Sequence, residues 1–389
     1  MTTSLRTFIR VANVIEEAKL GGPQVRIVRI AENLSEQVET TVIMPRSNSR
    51  DFKALLRKKN IRFHLIYLTR ITREPFVALQ YVFCFLFEIL SLYLLLKKEK
   101  FDIVHVSGGA WQYKGIIAGK LAGSKVLWHL NDTSLPSIFR YIFRQLSFIP
   151  DYYVFASAKT KSYYLPLIKS PHIPTGLVRQ PVDTKEFYPD AIIRSRIGKS
   201  ELSDNTITIG TVANINPEKG LELFILVASK LNRLFNNLRF IVAGPVHKTQ
   251  KKYFHGLLKY AEELRVKNIY FLGKSLNVRQ TLLTYDVFLC TSLNESGPLT
   301  LWEAMSMEKA IVTTDVGDVR EHLSCGISGD VVKVGDASAM INRTVKLIED
   351  RSRREKYGVA ARKVAIDTFD TNICAESQLD IYRELTEFD

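Results

Sequence analysis

Short apolar runs recur along the chain, each closing on a small or polar residue and each followed by a stretch of helical periodicity. The first series is TTVIMP (Thr40–Pro45), IRFHLIYL (Ile61–Leu68), FDIVHVSGG (Phe101–Gly109), KVLWHLND (Lys125–Asp132) and DYYVFAS (Asp151–Ser157). The second is TITIGTVANI (Thr206–Ile215), RFIVAGPV (Arg239–Val246), NIYFLGKS (Asn268–Ser275), YDVFLCTS (Tyr285–Ser292) and KAIVTTDVG (Lys309–Gly317). Near-continuous apolar runs of this length fit parallel strands buried on both faces, with helices laid over them. Alternation of strand and helix in two series predicts an α/β chain of two Rossmann-like, doubly wound domains facing across a cleft.

The break between the series falls near Gly176–Ser203, where Pro181 and Pro189 precede the polar run IRSRIGKSELSDN. We place the domains at 1–185 and 186–370. The terminal helix, 371–389, is a candidate to cross back onto the first domain. In open α/β sheets ligands bind beyond the carboxyl ends of the strands, so the polar residues closing these runs are where chemistry is sought.

One run asks for a membrane reading. Phe76–Leu96, FVALQYVFCFLFEILSLYLLL, is 21 residues long, enough to span a bilayer. Gln80 and Glu88 interrupt it, Pro75 suits a helix start, and Lys97, Lys98 and Lys100 close it. It leads directly into a strand pattern. We read it as a core helix, with a membrane-associated helix as the alternative.

Composition adds bounds. The chain has 389 residues, 46% hydrophobic and 24% charged, which is ordinary globular usage with enough apolar material for two cores. Its net charge of +14 favours anionic partners: nucleotide phosphates, nucleic acid or an anionic membrane. Between Met44 and Arg62 seven basic residues face one acid, Asp51. The four cysteines, Cys84, Cys290, Cys325 and Cys374, are far apart without metal-ligand spacing, which reads as a reducing compartment. The opening MTTSLRTFIRVANVIEE holds no apolar core of signal-peptide length, so a cytoplasmic protein is expected.

Three stretches carry candidate chemistry. In TSLNESGPLTLWEAMSMEKAIVTTDVG a strand ends at Ser292 and a loop holds Glu295, Ser296 and Gly297. Pro298 then opens a helix running through Leu299. Free backbone N–H groups at that helix start, with its dipole, suit an anion such as a nucleotide diphosphate. Glu295 before the helix and Glu303 inside it reach different hydroxyls of one elongated ligand, each by charge-assisted hydrogen bonds. In GTVANINPEKGLELF, Lys219 supplies a flexible cation for the same diphosphate. In LGGPQVRIVRI, Gly21 and Gly22 lie between a first strand and a helix, where glycine lets backbone approach a ligand. Each has a plain alternative: a capped helix with a surface Glu, a helix start rich in Pro and Glu, and an ordinary loop.

Together these stretches resemble the group 1 family of retaining glycosyltransferases, sequence family 4, of the GT-B fold. The likeness covers nearly the whole chain and is most specific between Gly210 and Gly317. Glu295 and Glu303 have the spacing of that family's paired donor-site glutamates. The resemblance implies that Glu295 and the Gly297–Leu299 backbone hold the donor sugar and that Glu303 holds the ribose. It implies Lys219 on the diphosphate, Gly21 and Gly22 beside the phosphates, and Lys274 of FLGKS near the base. RQPVDTKEF (Arg179–Phe187) resembles the hinge motif. The N-terminal domain then takes the acceptor and the C-terminal domain the nucleotide sugar.

Two positions depart from the family pattern. Asn214 stands where many members carry Arg, so a second diphosphate charge is missing unless Arg179 or Lys274 supplies it. Gly297-Pro298 replaces the usual aromatic after the first glutamate, which bears on donor-sugar identity. In KVLWHLNDT either His129 or Asn131 takes the family's histidine place near the transferred sugar, and a core histidine is the competing reading of His129. Asp132 is a candidate acceptor carboxylate. Trp111 and Tyr113 of SGGAWQYKG could stack on an acceptor sugar or simply pack.

The expected reaction is transfer with retention, by same-face attack assisted by the leaving phosphate, with Lys219 and the helix start stabilising its charge. No acid cluster of metal-site type stands out, so no metal or other cofactor is expected beyond the nucleotide sugar as co-substrate. The expected acceptor is a glycan or lipid-linked molecule, in cell-surface polysaccharide or glycolipid synthesis. PSIFRYIFRQLSF (Pro136–Phe148), with Arg140 and Arg144 one turn apart, and the basic Met44–Arg62 stretch suggest peripheral contact with an anionic membrane. Competing readings are a sugar-nucleotide epimerase, a phosphorylase, or a non-catalytic carbohydrate or nucleotide binder. Nucleic acid is not an expected partner, since neither an RNA-binding aromatic motif nor zinc spacing is present.

Overall fold

A computed structural model of the chain describes residues 8–71, 75–190, 205–275 and 277–387. The opening MTTSLRT and all but the last residue of the polar run before Thr206 lie outside the described residues. The chain divides into two compact units, the first running to Pro181 and resuming at Thr371, the second spanning Val182–Asp370.

The first unit has a parallel sheet of seven strands: β1 (Ile9–Val14), β2 (Val38–Pro45), β3 (Arg62–Ile66), β4 (Ile103–Val106), β5 (Lys125–Leu130), β6 (Tyr152–Phe155) and β7 (Thr175–Leu177), in the order β3-β2-β1-β4-β5-β6-β7. Its helices are α1 (Gly22–Asn33), α2 (Arg50–Lys58), α3 (Pro75–Glu99), α4 (Tyr113–Ala122), α5 (Ser137–Leu146) and α6 (Ala158–Tyr164). The second unit has six parallel strands: β8 (Ile207–Val212), β9 (Leu238–Ala243), β10 (Ile269–Gly273), β11 (Val287–Cys290), β12 (Ala310–Thr314) and β13 (Asp330–Val332), in the order β10-β9-β8-β11-β12-β13. Around it run α7 (Leu221–Leu231), α8 (Lys251–Glu263), α9 (Val278–Leu283), α10 (Leu299–Ser306), α11 (Val319–His322), α12 (Ala337–Glu349) and α13 (Arg351–Phe369). The last helix, α14 (Thr371–Glu387), belongs to the first unit and buries Cys374, Leu379, Tyr382 and Leu385 in its core.

Both sheets are doubly wound. The strand order reverses between β1 and β4 in one and between β8 and β11 in the other, and loops leaving the carboxyl ends there form each sheet's crevice. Three strands are absent from the series above: β7 and β13 are three residues long, too short to leave a periodic signal, and β1, six residues, enters there only as a first strand before Gly21.

Alternate residues of each strand go to opposite faces. Val104, Val126, Trp128 and Tyr153 pack with α3, α4 and α5 through Leu92, Ile116 and Phe143. Their neighbours Ile103, Leu127 and Tyr152 pack with α1 and α14. On that second face α2 joins α1, through Phe52 and Leu56 against Ile27 and Val28. The basic helix α2 and the basic helix α5 therefore lie on opposite faces of the sheet.

The expectation for α3 also needs correction. It is not a core helix all round. Tyr81, Glu88, Ile89, Leu92 and Leu96 are buried, while Leu79, Val82, Phe83, Leu86, Phe87, Leu90 and Leu94 are exposed. Of its most apolar 18-residue window, 28% is buried. A helix that is apolar around its circumference carries no periodic mark of which face meets the core.

Candidate active site

In the second unit the strand β8 ends in the loop of Ala213 and Asn214, and β11 ends in the loop of Thr291–Ser296. Lys219 closes a short turn, Pro217–Lys219. Its ammonium donates to Glu295 Oε1, and Ser292 Oγ donates to the same oxygen at 2.9 Å. The two loops are stitched at the backbone as well: Leu293 N–H donates to Glu218 O at 2.8 Å, and Thr291 Oγ1 to Lys219 O at 2.9 Å. Thr314 Oγ1, at the end of β12, donates to Ser292 O at 2.6 Å. Gly220 (φ +56°) turns the chain where any Cβ would fall 2.3 Å from Thr291 O. Gly317 (φ +58°) packs the same way against Ser296 O.

The helix α10 begins at Leu299, with Pro298 as its N-cap rather than its first helical residue. Leu301 and Trp302 N–H both donate to Pro298 O, at 2.9 and 3.2 Å. The donors open to a ligand are thus those of Leu299 and Thr300, fewer than expected from the sequence. Ser296 and Gly297 are half-buried on the approach, and Glu303, one turn further in, is 5% exposed. Asn214 is exposed, on a loop that closes over Gly244, whose absent side chain leaves room for Ala213 O. Lys274 is exposed just past β10. The structure therefore brings Lys219, Glu295 and Ser296–Leu299 together at the switch point. Asn214 and Lys274 stand on separate loops leaving the same edge of the sheet.

In the first unit Gly21 is the N-cap of α1 and Gly22 its first residue, with open space where a Gly22 side chain would project. Gln24 Nε2 donates to Glu17 O at 2.7 Å and holds this loop. A cavity of about 420 Å³ opens at the β1/β4 switch point, lined by Glu16, Arg70, Trp111, Gln112 and Phe139 among others. Trp111 and Phe139 rings lie 4.5 Å apart in its wall. Arg70 pairs with Glu17, and Gln112 Oε1 accepts from Glu16 N–H at 2.6 Å. A second cavity, about 830 Å³, opens at the amino ends of the strands around Asp102, Lys125 and Asp151, away from both switch points.

Beneath the first cavity lies a buried charge cluster that the sequence reading missed. Lys114, fully buried, contacts Glu88 Oε2 at 2.5 Å, Thr69 O at 2.6 Å and Glu16 Oε2 at 3.5 Å, with the Tyr81 ring centre at 3.8 Å. Burial pushes the Glu16 carboxyl up to about 7, opposed by the Lys114 charge. The signal available was the Glu16-Glu17 pair directly after an apolar run, and one lysine inside the apolar WQYKGII.

Asn131 and Asp132 lie beside Gly109 (φ +97°), where a Cβ would fall 2.6 Å from Asp132 Oδ2 and 2.9 Å from Asn131 Oδ1. Tyr164 Oη donates to Asp132, and burial raises the Asp132 carboxyl to about 6. His129 lies inside the first unit. It is 1% exposed, its Nδ1 is 3.3 Å from His105 Nε2, and His105 Nδ1 is 2.6 Å from Tyr382 Oη on α14. Desolvation drives both rings well below the usual histidine range, toward the neutral form. The pleat turns His129 into the sheet core. Tyr113 is also core, packed edge-on to Trp128 at 5.9 Å. Arg179 sits in the first unit.

Among the described residues one acid–histidine group has metal-ligand proximity: Asp318, Glu321 and His322. His322 is 3.4 Å from Asp318 Oδ2 and packs edge-on against Trp302 and Phe369, contacts that pin α11 to α10 and α13.

Sequence and structure comparisons identify the family and the fold. The family model for "Glycosyl transferases group 1" matches residues 193–364, and that for "Glycosyltransferase Family 4" matches 20–186. The chain belongs to the group 1 glycosyltransferases. The alpha-maltose-1-phosphate synthase of Mycobacterium tuberculosis is 27% identical over 54% of this chain, a match spanning 56% of that enzyme. The UDP-Gal:alpha-D-GlcNAc-diphosphoundecaprenol alpha-1,3-galactosyltransferase of Escherichia coli is 24% identical over 68% of this chain and 70% of its own. Anabaena HepE, solved with UDP and glucose, superposes with a TM-score of 0.84 at 16% identity, covering 96% of this chain and 99% of its own. That likeness establishes the GT-B fold.

Proposed function

We propose that this group 1 chain transfers a sugar from a nucleoside-diphosphate donor bound on the second unit to an acceptor bound on the first, with retention of anomeric configuration. The observation that carries the reading is the Lys219–Glu295 pair at the β8/β11 switch point. Without donor, each group satisfies the other. A donor offers both a better partner: its diphosphate takes Lys219 and the first turn of α10, and its sugar hydroxyls take the Glu295 carboxylate. As the glycosidic bond breaks, negative charge grows on the β-phosphate, where Lys219 stabilises it. Glu303, buried behind the first turn, is the ribose ligand. Asn214 contributes a hydrogen bond without charge, Gly21 and Gly22 admit the phosphates, and Lys274 lies toward the base.

For the acceptor, the first-unit cavity offers Trp111 and Phe139 as an apolar wall and Arg70 as a charge. Asn131 and Asp132 stand nearby on the β5 loop. The Escherichia coli relative acts on a diphosphoundecaprenol-linked sugar, and HepE holds UDP and glucose. These favour a UDP-sugar and a lipid-linked acceptor in polysaccharide or glycolipid assembly, at the cytoplasmic face of a membrane. The exposed Ile138 and Tyr141 of α5, beside Arg140 and Arg144, fit peripheral contact with anionic lipid.

The test is a panel of UDP-, GDP- and ADP-sugars, reading thermal stabilisation and nucleotide release for the wild type and Glu303→Ala. Stabilisation by one nucleotide class, lost in the variant, supports the donor site. No response to any nucleotide sugar would sink the transferase reading. Inversion at the anomeric carbon, seen by NMR of the product, would overturn retention alone.

A further inference from the structure

We propose that the exposed face of α3 is a bilayer seat, on which the first unit lies in the interface of an anionic membrane without crossing it. The inference deepens and rests on the reading of the chain as a transferase with a membrane-borne acceptor.

The exposed apolar residues of α3 recur at three- and four-residue spacing from Leu79 to Leu94, one continuous stripe roughly 22 Å long. Glu88, the only acid between Pro75 and Lys98, is fully buried on the opposite side. Exposed Lys97, Lys98 and Lys100 cap the stripe. On the same face of the sheet α5 adds exposed Ile138 and Tyr141 with Arg140 and Arg144, and Phe148 follows it. Apolar side chains rimmed by cations, with no exposed acid on the stripe, match an interface of acyl chains beneath anionic headgroups.

The same helix is long enough to span, and the buried cluster argues that it does not. Glu88 Oε1 accepts from Thr69 N–H at 3.0 Å, Glu88 Oε2 lies 2.5 Å from Lys114 Nζ, and Ile89, Leu92 and Leu96 lie in the sheet core. A spanning α3 would surrender that core face and place Glu88 in hydrocarbon, leaving Lys114 buried and unpaired. The acidic residue that interrupts the apolar run thus fastens the helix to the fold. The cavity at the β1/β4 switch point includes Arg70 and Ile71, shortly before α3 in the chain. A lipid-linked acceptor held at the seat needs only its headgroup to leave the interface. The basic helix α2 packs on the other face and takes no part.

The experiment is flotation of the full chain with vesicles of phosphatidylcholine alone and of an equimolar mixture with phosphatidylglycerol, without donor. The wild type is expected to float with the mixed vesicles. Phe83→Ser/Leu86→Ser/Phe87→Ser is expected to lose binding by about tenfold or more, with its melting temperature unchanged because all three side chains are exposed. Arg50→Glu/Arg57→Glu on α2 is expected to float like the wild type. The proposal is overturned if the wild type stays in solution or if the triple variant floats equally well. It is also overturned if light scattering shows the triple variant splitting a dimer with flotation unaltered, which would give the face to a second copy of the chain. Nucleotide-sugar binding, measured separately, keeps the two readings apart: a wild type that binds donor but does not float loses the seat alone. One that floats but binds no donor keeps the seat and loses the transferase reading.

Discussion

The ammonium of Lys219 and the carboxylate of Glu295 meet across two loops that leave neighbouring strands, β8 and β11, at the point where the sheet reverses its order. Seventy-six positions separate them in sequence. The pair is partly exposed, with side chains at 23% and 16%, so water and ligand reach it. An ion pair in that setting contributes roughly 0–1 kcal/mol to folding, which leaves both charges available to a donor at small cost.

Charge removal at this pair is therefore expected to affect chemistry far more than stability. Glu295→Gln keeps the shape and removes the charge; kcat/KM is expected to fall by about 10²–10³, the loss typical of one transition-state electrostatic contact. Lys219→Ala is expected to weaken donor binding by roughly ten- to a hundredfold. Steady-state kinetics with calorimetric donor titration measures both. Unchanged donor affinity in Lys219→Ala would remove the lysine from the diphosphate site.

Two glycines beside these loops are expected to behave in opposite ways. Gly220→Ala forces a Cβ to within 2.3 Å of Thr291 O at φ +56°. Destabilisation of about 1–3 kcal/mol is expected in urea unfolding, with donor binding impaired because Thr291 leads into the Glu295 loop. Gly22→Ala meets nothing within 4 Å and has no left-handed backbone requirement. It should leave stability unchanged or raise it by a few tenths of a kcal/mol, roughly. A fall in donor affinity at unchanged stability would mark Gly22 as a place where backbone meets ligand.

The loops we propose for the donor were legible as a place in the fold because polar residues and strand ends coincide there. Glu295, Gly297 and Pro298 follow an apolar run ending at Ser292, and Glu303 falls at the right depth in the next helix. Strand ends are visible in the pattern, and ligands bind at strand ends. His129 was not legible, because HisLeuAsn at the end of a buried strand leaves the inward parity undetermined by one residue. The exposed face of α3 was hidden by its own uniformity. The Glu16–Lys114–Glu88 cluster was hidden by distance: its members come from the β1 loop, α4 and α3, and nothing local pairs them.

That cluster should be intolerant of single changes and forgiving of a paired one. Lys114→Met leaves Glu88 fully buried without its cation, and a loss of about 3–5 kcal/mol is expected. Glu88→Leu/Lys114→Met removes both charges and is expected to recover most of that loss, since a buried ion pair replaced by apolar groups is often neutral or better. Denaturant unfolding of the single and double variants measures the coupling. A double variant as unstable as the sum of the singles would show that the cluster does not act as a pair.

Glu16 gives the cluster a pH signature whose sign is fixed. Its folded carboxyl is raised from 4.5 to about 7, by burial above all. Between those values the folded chain keeps a proton that the unfolded chain has released. Stability from this group is full below pH 4.5, falls as pH rises, and is gone once pH passes the folded value near 7. The whole effect is about 3 kcal/mol at most. His105 and His129 run the other way, their depressed folded pKa favouring stability above the ordinary histidine value of 6.5 and withdrawing it as pH falls below. Glu16→Gln isolates the first contribution. Relative to the wild type, the variant is expected to gain stability steadily as pH is raised from 4.5 to 7, with the difference flat above that. Unfolding free energies across this range test it, and a wild-type-minus-variant difference that does not change with pH would show that Glu16 is ionised in the fold at every pH sampled.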